Sequence, residues 1–121
     1  MFTGKVGLGT AAKRDVGTGE NQIPDMSSFS LLGASTSGGM RFPNGFKIVW
    51  GPFSLPEAQS GTQTVTFYSA FPTTCISVIP IPENASTEQI GYLNKSKTSV
   101  TIKKGSADVF ARPGIYIALG Y

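Results

Sequence analysis

From Gly45 onward the chain runs in short apolar–polar alternations, each soon cut off by Gly, Pro, Asn or Ser. A two-residue period belongs to a β-strand, whose successive side chains point to opposite faces, and runs this short cannot complete a stable helix. The pattern predicts an all-β fold, a six-stranded antiparallel β-sandwich with strands at 46–50, 62–70, 75–81, 88–93, 98–103 and 114–121. In the first strand Phe46, Ile48 and Trp50 share the expected inward face, which makes Trp50 a core residue rather than a sugar-stacking ring. Pro52 and Pro56 are expected to end that strand. Val65 and Phe67, and Val100 and Ile102, give inward pairs for the second and fifth strands, while Ile90 and Tyr92 share one face of the fourth.

Two strands are apolar on both faces. The run at 75–81 is expected to be a central strand covered twice, with Pro80 marking its end at an edge or bulge. The last run, 114–121, sends Ile115, Ile117 and Leu119 one way and Tyr116 and Ala118 the other, so both of its faces call for cover. A sandwich of this size buries only about 60% of the surface its unfolded chain exposes, and extra burial against neighbouring copies is expected there, with Tyr116 and Tyr121 in the contact.

Residues 1–45 hold nine of the 15 glycines and no sustained apolar run. The expected organisation is therefore a glycine-rich neck over 1–40 and a sandwich domain over 41–121. Within the neck, 9–17 predicts a short helical turn with Thr10 as N-cap and Gly17 as its stop, and 33–39 reads as a flexible joint. With 8 Pro and only 14% charged residues, a helical bundle is excluded.

Composition also removes most chemistries. With no His and one Cys, neither a disulfide framework, a Cys/His zinc site nor a His-based triad can be built within one chain, and Cys75 is expected to be a small buried hydrophobe. No phosphate loop occurs, because Gly7-Leu8-Gly9 has no strand before it and no Lys-Ser/Thr after it. The net charge of +3 is mild and its lysines and arginines are dispersed, so neither a nucleic-acid partner nor membrane insertion is expected. No cofactor or metal is expected, and because the start MFTGKVGLGT lacks the apolar core of a signal peptide, synthesis and folding in a cytoplasm are expected.

The segment from Gly7-Leu8-Gly9 through Gln22-Ile23-Pro24 resembles the shaft-to-tip element of tail fibres of tailed bacteriophages. The pieces Asn44-Gly45-Phe46-Lys47-Ile48-Val49-Trp50-Gly51, Val65-Thr66-Phe67-Tyr68-Ser69-Ala70-Phe71 and the terminal Ile115-Tyr116-Ile117-Ala118-Leu119-Gly120-Tyr121 resemble their C-terminal receptor-binding domain. The layout is also similar to the six-stranded sandwich of H-type lectins. Together these resemblances imply a homotrimeric, non-enzymatic adhesin at a virion fibre tip, assembled in the host cytoplasm, joined to other tail components and binding a bacterial surface polysaccharide. The lectin resemblance places sugar contacts in the loop at 52–60, on the strand at 88–93 and in the loop at 104–109, which gives Glu57, Gln59, Gln89, Tyr92, Lys104, Ser106 and Asp108 as glycan-binding candidates. The lectin pattern has a His in the last loop that this chain lacks, so the location carries over and the individual roles do not.

Two alternatives accompany that expectation. A small polysaccharide depolymerase needs two carboxyl groups roughly 5 to 9.5 Å apart, drawn from Glu57, Glu88 and Asp108. A purely structural trimerisation cap needs no site at all. Lys95, Lys97, Lys103 and Lys104 form a basic group that either meets anionic polysaccharide or is a solvated face.

Overall fold

The computed structural model describes residues 9–84 and 89–121. Their strands are β1 (Ser30–Ala34), β2 (Gly38–Arg41), β3 (Lys47–Leu55), β4 (Thr62–Thr66), β5 (Cys75–Pro82), β6 (Ile90–Leu93), β7 (Ser99–Lys104) and β8 (Arg112–Gly120). A five-stranded sheet, ordered β1-β2-β3-β8-β5, faces a three-stranded sheet, β4-β7-β6, and all the strand pairings are antiparallel. The chain is an all-β sandwich whose only helical features among the described residues are the 3-10 turns Ala11–Lys13 and Met26–Ser28. Thr10 does precede the first turn, but its side chain makes no cap hydrogen bond, and the turn ends at Arg14 rather than Gly17.

All six expected strands are present, and two more come from the neck. The stretch read as a flexible joint instead forms the β1–β2 hairpin, with Gly33 opposite Gly39 and Ala34 opposite Gly38. Its glycines serve close approach and not mobility: a Cβ on Gly38 would lie 2.2 Å from Gly33 O and 2.9 Å from the Trp50 ring. The β2–β3 turn is closed by Phe42 N donating to Phe46 O, by Phe46 N donating to Asn44 Oδ1, and by Gly45 at φ 91°, a conformation that favours glycine.

The expected face of the first strand is reversed. Lys47, Val49, Gly51, Phe53 and Leu55 turn to the core, while Ile48 and Trp50 are half-buried on the opposite side. Expected to end at Pro52, β3 instead runs on to Leu55 and pairs Pro52 with Ile115, and this extension adds Phe53 and Leu55 to the face that carries Val49. Ser54 N donates to Gln63 Oε1, away from β8, so Pro52, two residues earlier, also lacks its N–H on the side not paired to β8, where β2 has already ended at Gly38 opposite Trp50. The strand expected to be central, β5, lies at the sheet edge; β8 is internal instead, between β3 and β5. An edge position tolerates Pro80 within the strand.

The core is built from Val49, Phe53, Leu55, Cys75, Val78, Tyr116 and Ala118 of the large sheet against Val65, Val100 and Ile102 of the small one, with Phe67 and Phe71 closing one end. Tyr116, expected between subunits, is 2% exposed and belongs to this core, its ring 6.0 Å from Phe67. Lys47 spoils the alternation because its ammonium is an internal fastener. It donates to Ser69 Oγ at 2.6 Å and Ala70 O at 2.5 Å and lies 5.6 Å from the Phe71 ring centre, joining β3 to the segment that follows β4. Burial, with Arg41 nearby, holds this ammonium below its ordinary value.

Ile102, wholly buried at the middle of the small sheet, is a direct test of this core. Ile102→Ala should cost about 2–5 kcal/mol in urea unfolding. Burial also pushes the Cys75 thiol above its ordinary 9.0 and the Tyr116 phenol above its ordinary 10.0. Both groups ionise first in the unfolded chain, so the stability they contribute is present below pH 9.0 and is lost as the pH rises through their folded values, whereas Lys47 acts in the opposite sense as the pH approaches 10.5. The urea midpoint is expected to fall above pH 9.0, and Cys75→Val with Tyr116→Phe should shrink that fall.

Candidate functional site

Strand register assigns every loop to one of two ends. Ser30, Arg41, Lys47 and Gly120 align across neighbouring strands, so the chain enters the sheet from the neck and leaves it at Tyr121 at the same end. At the other end Leu55 aligns with Arg112, Pro82 with Gly114, Thr62 with Lys103 and Ile90 with Lys104. The loops 56–61 and 105–111 and the start of β6 therefore gather at the end remote from the neck. Glu57, Gln59, Gln89, Lys104, Ser106 and Asp108 all belong to that end, with Tyr92 further along β6.

Lys104 ties these loops together. Its side chain is 1% exposed, and its Nζ donates to Pro56 O at 2.6 Å and to Phe110 O, while its main-chain N donates to Gly61 O at 3.2 Å. One residue of the small sheet thus fixes the strand end after β3, the approach to β4 and the approach to β8. Asp108 is equally internal: it is 3% exposed, takes Arg112 Nε on Oδ2 at 2.7 Å and accepts Phe110 N on Oδ1 at 3.1 Å. Both residues, expected to contact glycan, have charged groups that are buried and engaged inside the protein.

The exposed candidates divide into two groups. Gln89, Tyr92 and Ser106 line one groove of about 440 Å³, together with Gly91, Leu93, Lys103 and Lys104. Gly91 forms an open part of its floor, since a Cβ there would meet nothing within 4 Å. Tyr92, at the free edge of β6, reaches across to Ser77 on β5, with 3.4 Å between the hydroxyl oxygens. Lys103 is the exposed cation of the groove, and the amide, hydroxyl and phenol groups beside it offer both donors and acceptors. Glu57 and Gln59 are exposed on the 56–61 loop and do not line the groove.

A second concavity, of about 410 Å³, lies at the neck end and is lined by Phe29, Phe42, Pro43, Asn44 and Phe46. Its rings pack with centres 6.3 Å and 5.7 Å apart. Of the carboxylates considered for a depolymerase, Asp108 is committed to Arg112, Glu57 stands in solvent, and Glu88 lies outside the described residues. Among the described residues no three metal-ligating side chains come together. Of the wider basic group, Lys95 donates to Ile76 O at 2.7 Å and Lys97 is exposed, both near the neck end.

Sequence reasoning missed the pair Val109 and Phe110, which are 46% and 65% exposed in the 105–111 loop. The available signal was two adjacent apolar residues in a run with no alternation, between Asp108 and the start of β8. The internal role of Asp108 predicts that Asp108→Ala, which removes the carboxylate of a buried ion pair, costs about 3–5 kcal/mol in denaturant unfolding. Lys104→Met should cost about 1–3 kcal/mol by leaving carbonyls without a donor. Glu57→Ala should stay within about 0.5 kcal/mol of the parent chain.

The same fold occurs in bacterial fibres. The C-terminal part of the P. aeruginosa R2 pyocin fibre matches with a TM-score of 0.66 at 21% identity, over 76% of this chain and 25% of that one. An N-truncated R2-type pyocin tail fibre matches with 0.66 at 22% identity, over 76% of this chain and 37% of that one. An N-truncated R1-type pyocin tail fibre gives 0.61 at 20% identity, over 76% of this chain and 84% of that one. The chain thus spans about a quarter and just over a third of the two R2 structures, and the likeness at these identities is one of fold. No curated protein sequence matches. Residues 41–121, from the end of β2 through β8, match the family described as putative tail fiber protein gp53-like, C-terminal, and the chain belongs to that family.

Proposed function

We propose that this domain is the receptor-binding tip of a phage-type tail fibre, a homotrimer that attaches the virion to a bacterial surface glycan without cleaving it. The observation that carries the proposal is the division of the sandwich into two ends. The neck enters at one, and the exposed polar candidates Glu57, Gln59, Gln89 and Ser106 sit at the other, with Tyr92 in the same groove as the last two. A fibre that ends in such a domain presents those loops furthest from the virion.

The trimer is supported by the outer face of the five-stranded sheet. By register, Leu31, Met40, Ile48, Trp50, Pro52, Ile115, Ile117, Leu119, Ile79 and Ile81 all lie on the side away from the core. Leu31, Ile79, Ile81 and Ile115 are 61%, 46%, 42% and 39% exposed, so the apolar face crosses the sheet from edge to edge. A lone soluble chain rarely leaves such a face in water, and copies packed about an axis bury it. Three copies also convert weak polar contacts into strong attachment, because the second and third bind at a high effective concentration.

The basic end of the groove at Lys103 suits an anionic capsule or lipopolysaccharide sugar. In this proposal Glu57 and Gln59 act from the adjoining loop, Gln89, Tyr92 and Ser106 act within the groove, and residues before Ser30 lead towards the shaft and the other tail components.

Light scattering should give the mass of three chains, and Ile79→Lys, a change the monomer tolerates at an exposed edge position, should give one. Gly91→Leu, which fills the open floor without backbone strain, should leave the trimer and its stability intact and lower adsorption to host cells by roughly tenfold or more. A parent chain that is monomeric at micromolar concentration, or one that binds no bacterial surface polysaccharide, contradicts the proposal.

A further inference from the structure

Phe110 is an exposed aromatic ring on a main chain that is pinned from several sides. Its N–H is held by Asp108 Oδ1 at 3.1 Å and its carbonyl by the Lys104 ammonium. Asp108 is itself fixed by Arg112 Nε at 2.7 Å, and Asp108 N closes a turn onto Gly105 O at 3.2 Å. Three charged residues, Lys104, Asp108 and Arg112, are thus buried around one short loop. Burying charge is expensive unless each group finds a partner; here Asp108 pairs with Arg112 and Lys104 is met by main-chain carbonyls, and together they immobilise a residue whose side chain adds little to the core.

The ring itself is oriented as well. The Arg112 guanidinium carbon lies 5.6 Å from its centre, a cation–π approach that occupies one side of the ring and leaves the side chain 65% exposed. Val109, beside it, is 46% exposed. An aromatic held in place before binding loses little conformational freedom on binding, which is the condition under which a single stacking contact is most effective. The face of an aromatic ring carries negative potential, and the axial C–H groups on the apolar face of a pyranose are its complement. Ser106, in the same loop, and Glu57 and Gln59, in the loop that Lys104 ties to it, put exposed hydroxyl, carboxylate and amide groups able to meet sugar hydroxyls at the same end of the domain. The aliphatic surface suited to a second copy lies on the face of the large sheet, whereas Phe110 stands on a loop at its end.

We infer that Phe110 is a built stacking platform for a pyranose ring of the bacterial surface glycan, with Val109 extending the apolar contact. The inference rests on the glycan-binding proposal and adds to it a residue outside the groove, which makes the binding surface a polar groove next to an aromatic platform. The probe is an array of purified bacterial capsular and lipopolysaccharide glycans, with affinities then measured by calorimetry for whichever glycans bind. Phe110→Ala should weaken binding by roughly tenfold or more, with the trimer and the melting temperature unchanged, and Phe110→Trp should retain or strengthen it. Equal affinity of the parent chain and Phe110→Ala overturns the platform and leaves the glycan proposal standing. Absence of any glycan binding by the parent chain overturns both. Loss of the trimer in Phe110→Ala assigns the ring to contact between copies and overturns the platform.

Discussion

The end of the domain that faces away from the neck depends on one buried ammonium. Lys104 sits at the end of β7, and its bonds to Pro56 O and Phe110 O span the gap to the large sheet on either side of the β3–β8 pair. A lysine inside a sandwich loses its hydration, and it is retained where carbonyls with no strand partner need a donor. Those carbonyls are inevitable here, because the chain crosses between sheets just after β3 and just before β8. Lys47 solves the same problem at the neck end through Ser69 and Ala70. The two lysines give each end of the sandwich a polar closure around the apolar core, joined at the far end by the buried Asp108–Arg112 pair.

A closed core leaves the opposite side of the large sheet unaccounted for. Gly114, Tyr116 and Ala118 of β8 face inward and Ile115, Ile117 and Leu119 face outward, so the strand has an apolar residue for each side and no polar residue for water. The outer stripe continues onto Ile79 and Ile81 of β5 and onto Ile48 and Trp50 of β3. At the neck end it leads to Phe46 and so to the aromatic concavity with Phe29 and Phe42. An assembly about this face would hold three neck segments together at one end and leave three sets of polar loops free at the other, the geometry a fibre tip requires.

The strands were legible because their period is short and their stops are strong, and each of the six expected runs overlaps a strand, although β4 ends at Thr66, short of the expected Ala70. Two further strands were hidden: Gly33, Gly38 and Gly39 enter the sheet because they have no side chain, and a glycine selected for close approach looks the same in a sequence as one selected for flexibility. The inward face of β3 was misjudged for a related reason. Lys47 breaks the apolar set that includes Val49, Phe53 and Leu55, and only its tertiary partners show that a lysine belongs there. The candidate site followed the same rule. Of the glycan-binding candidates, Gln89, Tyr92 and Ser106 share a groove, while the charged groups of Lys104 and Asp108 serve inside. Phe110 carries no periodic signal at all, and it is visible only once the buried charges around it are seen.

Hydrogen–deuterium exchange with and without a bacterial surface polysaccharide that the domain binds would test the account most directly. New protection confined to 56–61, 89–93 and 103–111 is the predicted result, because those segments form the end held together by Lys104. Protection centred instead on 42–46 and 94–98, at the neck end, would contradict it.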